Sequence, residues 1–98
     1  MSTVTVRLLV QPEKEAEFLR IFRDVATIVE TDEPDCIIYA VWETGTPHEY
    51  LLVESYRSEA GRIDHNQRHA GVFQAFIGCL ATPPQTETLG AQVLGIPR

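Results

Sequence analysis

The sequence predicts an α+β fold of ferredoxin-like type, a split β-α-β-β-α-β order whose four-stranded antiparallel sheet carries helices on one face. Three observations point there. Residues 3–10, 36–43 and 49–56 show the period-two or continuous apolar patterning of strands. Residues 18–29 and 72–80 carry apolar side chains three and four apart, the helical repeat. The second and third strands are separated only by Thr44-Gly45-Thr46-Pro47-His48, which fits a hairpin.

In the first strand Val4, Val6, Leu8 and Val10 share one face, and Thr3, Thr5, Arg7 and Leu9 share the other. Pro12 suits a first helical turn, and Glu13, Glu15 and Glu17 suit the positive end of the helix dipole. Phe18, Phe22, Val25, Ala26 and Val29 give that helix its apolar stripe over about 17 residues. Thr31 to Asp35, with Pro34, end it. The second strand presents Cys36, Ile38, Ala40 and Trp42 on one side and Ile37, Tyr39 and Val41 on the other. Ser58 is a suitable N-cap for a short helix to about Asn66, and Val72, Phe73, Phe76, Ile77 and Leu80 place another over 69–81. Thr82-Pro83-Pro84 stops it, and the last strand is expected over Glu87–Ile96, with bulges at Gly90 and Gly95.

The chain's 98 residues are read as one domain, which buries roughly 60–70% of its unfolded surface. Its net charge of −6 and scattered Lys and Arg argue against nucleic acid and an anionic membrane surface as partners. The N-terminus reads as a strand rather than a signal peptide, and no apolar run reaches the roughly 18 residues of a membrane span. Cys36 and Cys79 lie far apart, read as small buried hydrophobes, and suit a reducing, cytoplasmic setting. Helices cover only one side of such a sheet, yet strands two and three are apolar on both. The uncovered face therefore predicts a homodimer packed sheet against sheet.

Glu33-Pro34-Asp35-Cys36, Tyr39, Glu54-Ser55-Tyr56, Ala60, His65, His69 and Phe73 occur here in an order and spacing that resembles the antibiotic biosynthesis monooxygenase family, over almost the full length. The resemblance implies a dimeric α+β barrel. It also implies a range of chemistries: cofactor-independent oxygenation of phenols and quinols, isomerisation of a small sugar derivative, and haem degradation. The haem-degrading branch carries an axial histidine one turn after Val72-Phe73. Gln74-Ala75-Phe76-Ile77 offers none, and strand one lacks that branch's asparagine, so haem is not expected. No nucleotide loop, nucleophile elbow or Cys-His pairing is evident, and no cofactor is expected.

Candidate chemistry gathers at the corner between the third strand and the following helix. A neutral His65 suits a general base taking a phenolic proton, and the family places a histidine there; the alternative is a helix-terminal histidine bonded to a carbonyl. Glu54 ends an apolar strand, where it orients His65 or holds a substrate hydroxyl; otherwise it pairs with Arg57, Arg62 or Arg68. Tyr56 shares its face and is either a substrate contact or core. His65 and His69 are four apart, a spacing that could grip a metal on a continuous helix. No third ligand is evident beyond Asp64 or Glu59, and the resemblance implies a helix break that would spoil the spacing. No metal is expected, and His69 reads as a helix start or pocket wall. Tyr39, Trp42, Phe73 and Phe76 are core residues or walls for a planar aromatic substrate. Whether Tyr39 or Ile38 lies beside Glu54 turns on the hairpin register. Arg7 reads as a surface or dimer ion pair, or as an anion contact. The leading functional expectation is a cofactor-free monooxygenase using O2 on a small phenol or quinol. An isomerase and a non-catalytic dimeric binding module are the alternatives.

Overall fold

A computed structural model describes residues 1–96. Its elements are β1 (Ser2–Leu9), a 3-10 turn (Pro12–Lys14), α1 (Glu15–Asp32), β2 (Cys36–Glu43), β3 (Glu49–Tyr56), α2 (Glu59–Arg68), α3 (Ala70–Cys79) and β4 (Gln85–Thr88). The sheet order is β2-β3-β1-β4, and every neighbouring pair is antiparallel. This is the expected α+β, ferredoxin-like architecture.

The alternation of β1 maps directly onto burial. Val4, Val6, Leu8 and Val10 lie under the helices with Tyr50 and Leu52 of β3. Phe18 of α1 is fully buried and meets Tyr50 at 5.2 Å and Phe76 of α3 at 5.3 Å between ring centroids. These tilted aromatic contacts tie α1 to the sheet and to α3, each adding about 1 kcal/mol beyond the area it buries.

The β2–β3 register decides what faces the helices. Tyr39 pairs with Glu54, Val41 with Leu52 and Trp42 with Leu51. A bulge falls between Cys36 and Ile38, so Cys36 pairs with Tyr56 and Ile38 with Ser55. The extra residue, Ile37, returns Cys36 to the helix side with Tyr39 and leaves Ile38, Ala40 and Trp42 on the outer side. Cys36 therefore does not share a face with Ile38, as strict alternation had it. Tyr39 then stacks on Phe22 of α1 at 4.9 Å with rings 6° from parallel.

Among the described residues no helix covers the outer side of the sheet. Trp42 is 53% exposed and Ile38 is 40% exposed there. Arg7 lies on the same side, paired with Glu49 at 2.8 Å, which takes it away from the helix-side cavity.

The last strand differs from expectation. It occupies Gln85–Thr88, starting directly after Pro83-Pro84, and not Glu87–Ile96. One further bond, Leu89 N–H to Thr3 O at 2.9 Å, closes the ladder. The β1–β4 pairing runs from Arg7 opposite Gln85 to Val4 opposite Thr88. Gly90 and Gly95 follow the end of this strand and lie outside the ladder rather than forming bulges in it. Both cysteines are free, and no helix among the described residues is long and apolar enough to cross a membrane.

Candidate functional site

A tight connection between α1 and β2 assembles the site. Glu33 N–H bonds to Val29 O at 3.1 Å, and Cys36 N–H to Glu33 O at 3.0 Å. Asp35 then docks on the start of α2: its carbonyl accepts from Arg57 N–H at 2.8 Å and its carboxylate from Ser58 Oγ at 2.6 Å. Ser58 caps α2 by accepting from Gly61 N–H at 3.1 Å. A Cβ at position 61 would collide with the Asp35 carboxylate, so glycine permits this approach. Glu33 is thereby held against the helix turn that follows.

There Glu33 meets both histidines. His65 Nδ1 lies 2.7 Å from Glu33 Oε1, and His69 Nε2 lies 2.7 Å from Glu33 Oε2. The two imidazole centroids are 4.6 Å apart. The helix break does fall at His69, which ends α2 and precedes α3. Its backbone, at φ −110° and ψ 20°, bends the chain without separating the rings. Burial works to raise the Glu33 carboxyl, but hydrogen bonds and charge from His69 and His65 outweigh it and hold the group below its ordinary 4.5. An ionised carboxylate only accepts hydrogen bonds, so both facing ring nitrogens carry hydrogens. Desolvation pushes His65 below its ordinary 6.5 despite Glu33, which favours the neutral ring. Neutral His65 protonated at Nδ1 has its free lone pair on Nε2.

That lone pair faces Glu54, with His65 Nε2 and Glu54 Oε2 3.9 Å apart. Burial raises the Glu54 carboxyl to about 7, with Arg62 pulling it down and Glu33 adding to the rise. Among the described residues no arginine forms an ion pair with Glu54. Arg68 pairs with Asp64 at 2.7 Å, and Arg62 Nε bonds to Ser2 Oγ at 2.8 Å. The corner therefore holds an acceptor imidazole and a carboxyl group that exchanges its proton near neutrality.

Both groups open on a cavity of about 380 Å³ between β1, β3 and the α2–α3 pair. Val4, Val6, Leu8 and Leu52 form its floor, Tyr39, Phe73 and Phe76 its aromatic walls, and Glu54, Arg62, His65, Asn66, His69 and Gln74 its polar groups. An apolar chamber with a few convergent polar groups is the usual form of a small-molecule site.

Seven of the eight residues singled out in the sequence lie in or against this corner, and six of them line the cavity: His65, Glu54, His69, Tyr39, Phe73 and Phe76. Trp42 does not, because its strand position places it on the outer side of the sheet. Tyr56 is only 1% exposed and sits behind His65, ring centroids 5.4 Å apart, outside the cavity lining. Its hydroxyl is buried without a hydrogen-bond partner, and burial pushes its pKa upward. A core position thus replaces the substrate contact considered for it. Glu33 is the residue that sequence reasoning missed. It was visible as an acid before Pro34, in a turn and in the Glu33-Pro34-Asp35-Cys36 run that carries the family resemblance, but was given no role at the site. The third group beside the two imidazoles is Glu33, not Asp64 or Glu59. Arg62, Asn66 and Gln74 were also not anticipated as cavity residues.

The family model for antibiotic biosynthesis monooxygenases matches residues 1–77. A solved structure from Caulobacter crescentus CB15 that carries the same family designation is 31% identical, with 93% of this chain and 89% of that one covered and a TM-score of 0.84. The chain belongs to the antibiotic biosynthesis monooxygenase family. Rv0793 from Mycobacterium tuberculosis shares the fold at 18% identity and a TM-score of 0.85, covering 97% of this chain and 98% of that one. So does a conserved protein from Methanosarcina mazei Go1, at 21% identity and a TM-score of 0.84, covering 93% and 92%. No functionally curated protein matches the chain. Membership of this family supports a general monooxygenase-like role.

Proposed function

We propose that the protein is a cofactor-independent monooxygenase acting on a small phenol or quinol held in the helix-side cavity. One observation carries the reading: His65 is clamped through Nδ1 by the buried Glu33, so its acceptor Nε2 stands beside Glu54 at an aromatic-walled chamber. In this reading His65 Nε2 removes a proton from the activated substrate, and Glu33 holds the ring in the tautomer that can accept it. Tyr39, Phe73 and Phe76 hold the aromatic plane, and Glu54 binds a substrate hydroxyl. The electron-rich anion reduces O2, a C–O bond forms at its carbanion carbon, and the resulting peroxide anion takes the proton from His65 to become a hydroperoxide. Loss of water then leaves a carbonyl, so one oxygen atom enters the product and the other leaves as water. The chain supplies position, a base and a shielded chamber.

The same pair also suits an isomerase, because Glu54 titrates near neutrality and could return a proton to a second carbon. The partner proposed here is a second copy of the chain on the outer sheet side, where Trp42 and Ile38 are exposed. The two free cysteines accord with the proposed reducing, cytoplasmic setting.

Binding of a chromogenic nitrophenol, below the pH at which it ionises in water, tests the base directly. The native protein should develop the phenolate absorption on binding, and His65→Ala should bind it colourless. Colourless binding by the native protein would overturn the assignment.

A further inference from the structure

Glu33, His65 and His69 serve the proton-transfer site described above, and their three ligand atoms also lie within 4.8 Å of one another. We propose that Glu33, His65 Nδ1 and His69 Nε2 form a binding site for a divalent transition-metal ion of the zinc type, whose occupation shuts off the base. Two imidazoles and one carboxylate are a donor set that such ions favour, with a fourth position left for water. Each nitrogen stands 2.7 Å from a different oxygen of one carboxylate. Tetrahedral coordination needs donors roughly 3.3 Å apart, so the cluster opens by about half an ångström to admit the ion. In doing so the ion replaces the single hydrogen that bridges each imidazole to Glu33, and each displaced proton passes to the other nitrogen of its ring. Glu54 completes the arrangement from the other side. Histidines on metals usually give their remaining N–H to a carboxylate, and Glu54 Oε2 stands 3.9 Å from His65 Nε2.

The consequence rests on the oxygenase reading above. A neutral imidazole bound through Nδ1 must carry its hydrogen on Nε2, so the nitrogen facing the cavity becomes a donor. It can no longer take a substrate proton, and the ion acts as an inhibitor.

The test begins with chelator-treated, full-length protein and Zn2+ alone. Imidazole 15N resonances should move at His65 Nδ1 and His69 Nε2 with one ion per chain. His48, which faces Glu15 at 3.0 Å elsewhere, should stay still. Co2+ should give the visible absorption of a low-coordinate site, and Glu33→Gln or His69→Gln should weaken binding about tenfold or more. Movement at His48 alone, or affinity unchanged in both variants, would overturn the site. The native-protein resonances decide the matter even if a variant folds poorly. Zn2+ should also suppress turnover with the midpoint at which it binds, and stoichiometric binding with full turnover would overturn the inhibition. Occupancy is read without substrate, so a protein lacking oxygenase activity still reports on the metal.

Discussion

Replacing Glu54 by Gln should change stability in a way that depends on pH, and the structure sets both sign and size. The carboxyl is buried beside His65, with Arg62 and Glu33 as the other charged groups acting on it. It ionises at 4.5 in an ordinary setting and at about 7 when folded. Between those values the folded chain keeps a proton that the unfolded chain has released. This group's favourable contribution is therefore complete below 4.5 and is lost as pH rises through 7. The full difference corresponds to about 3 kcal/mol, and the part falling between pH 5 and 8 to about 2–3 kcal/mol. Gln cannot ionise, so Glu54→Gln should gain about that much relative to the native protein across this range. Taking the difference between two pH values cancels the pH-independent cost of seating an amide. Urea unfolding of both proteins at several pH values measures it. A stability difference that stays constant with pH, or one that grows in the opposite direction, would refute the reasoning.

Other changes test other parts of the structure. Gly61→Ala should destabilise by about 1–2 kcal/mol despite the helix propensity gained, because the new methyl meets Asp35 at its Cβ and Cγ as well as its carboxylate oxygen; thermal unfolding with no loss would contradict the packing described. Phe73→Ala removes a cavity wall that is 46% exposed, so it should weaken binding of a phenol about tenfold by calorimetry while costing under about 1 kcal/mol of stability. Phe76→Ala, buried against Phe18, should cost about 3–4 kcal/mol in urea unfolding. Trp42→Lys on the outer sheet side should yield a monomer in sedimentation where the native chain sediments as a dimer. A native monomer at high concentration would dispose of the proposed partner.

Much of the fold was legible because β1 alternates cleanly and α1 repeats cleanly, and both patterns are direct prints of burial. The β2–β3 register was not, since Ile37 enters as a bulge with no glycine or proline to mark it. β4 was misplaced for a different reason: Gln85 to Thr88 is polar and fully exposed, so its strand character comes from pairing with β1 and not from any apolar pattern of its own. At the site, the two histidines were visible by spacing and by family resemblance. Glu33 was hidden because an acid after a helix usually meets solvent. Here the docking of Asp35 on Ser58 and Arg57 carries Glu33 inward, and only the folded chain shows that contact.

Oxygen uptake by chelator-treated protein with a panel of anthrones and hydroquinones tests the central claim most directly, with native protein and His65→Ala compared at equal concentration. Uptake that requires the native protein, consumes one O2 per product and falls at least about a hundredfold in the variant is the expected result. Equal uptake by the variant would remove His65 as the base. No uptake across the panel would contradict the oxygenase reading and leave a proton-transfer or binding role for the same cavity.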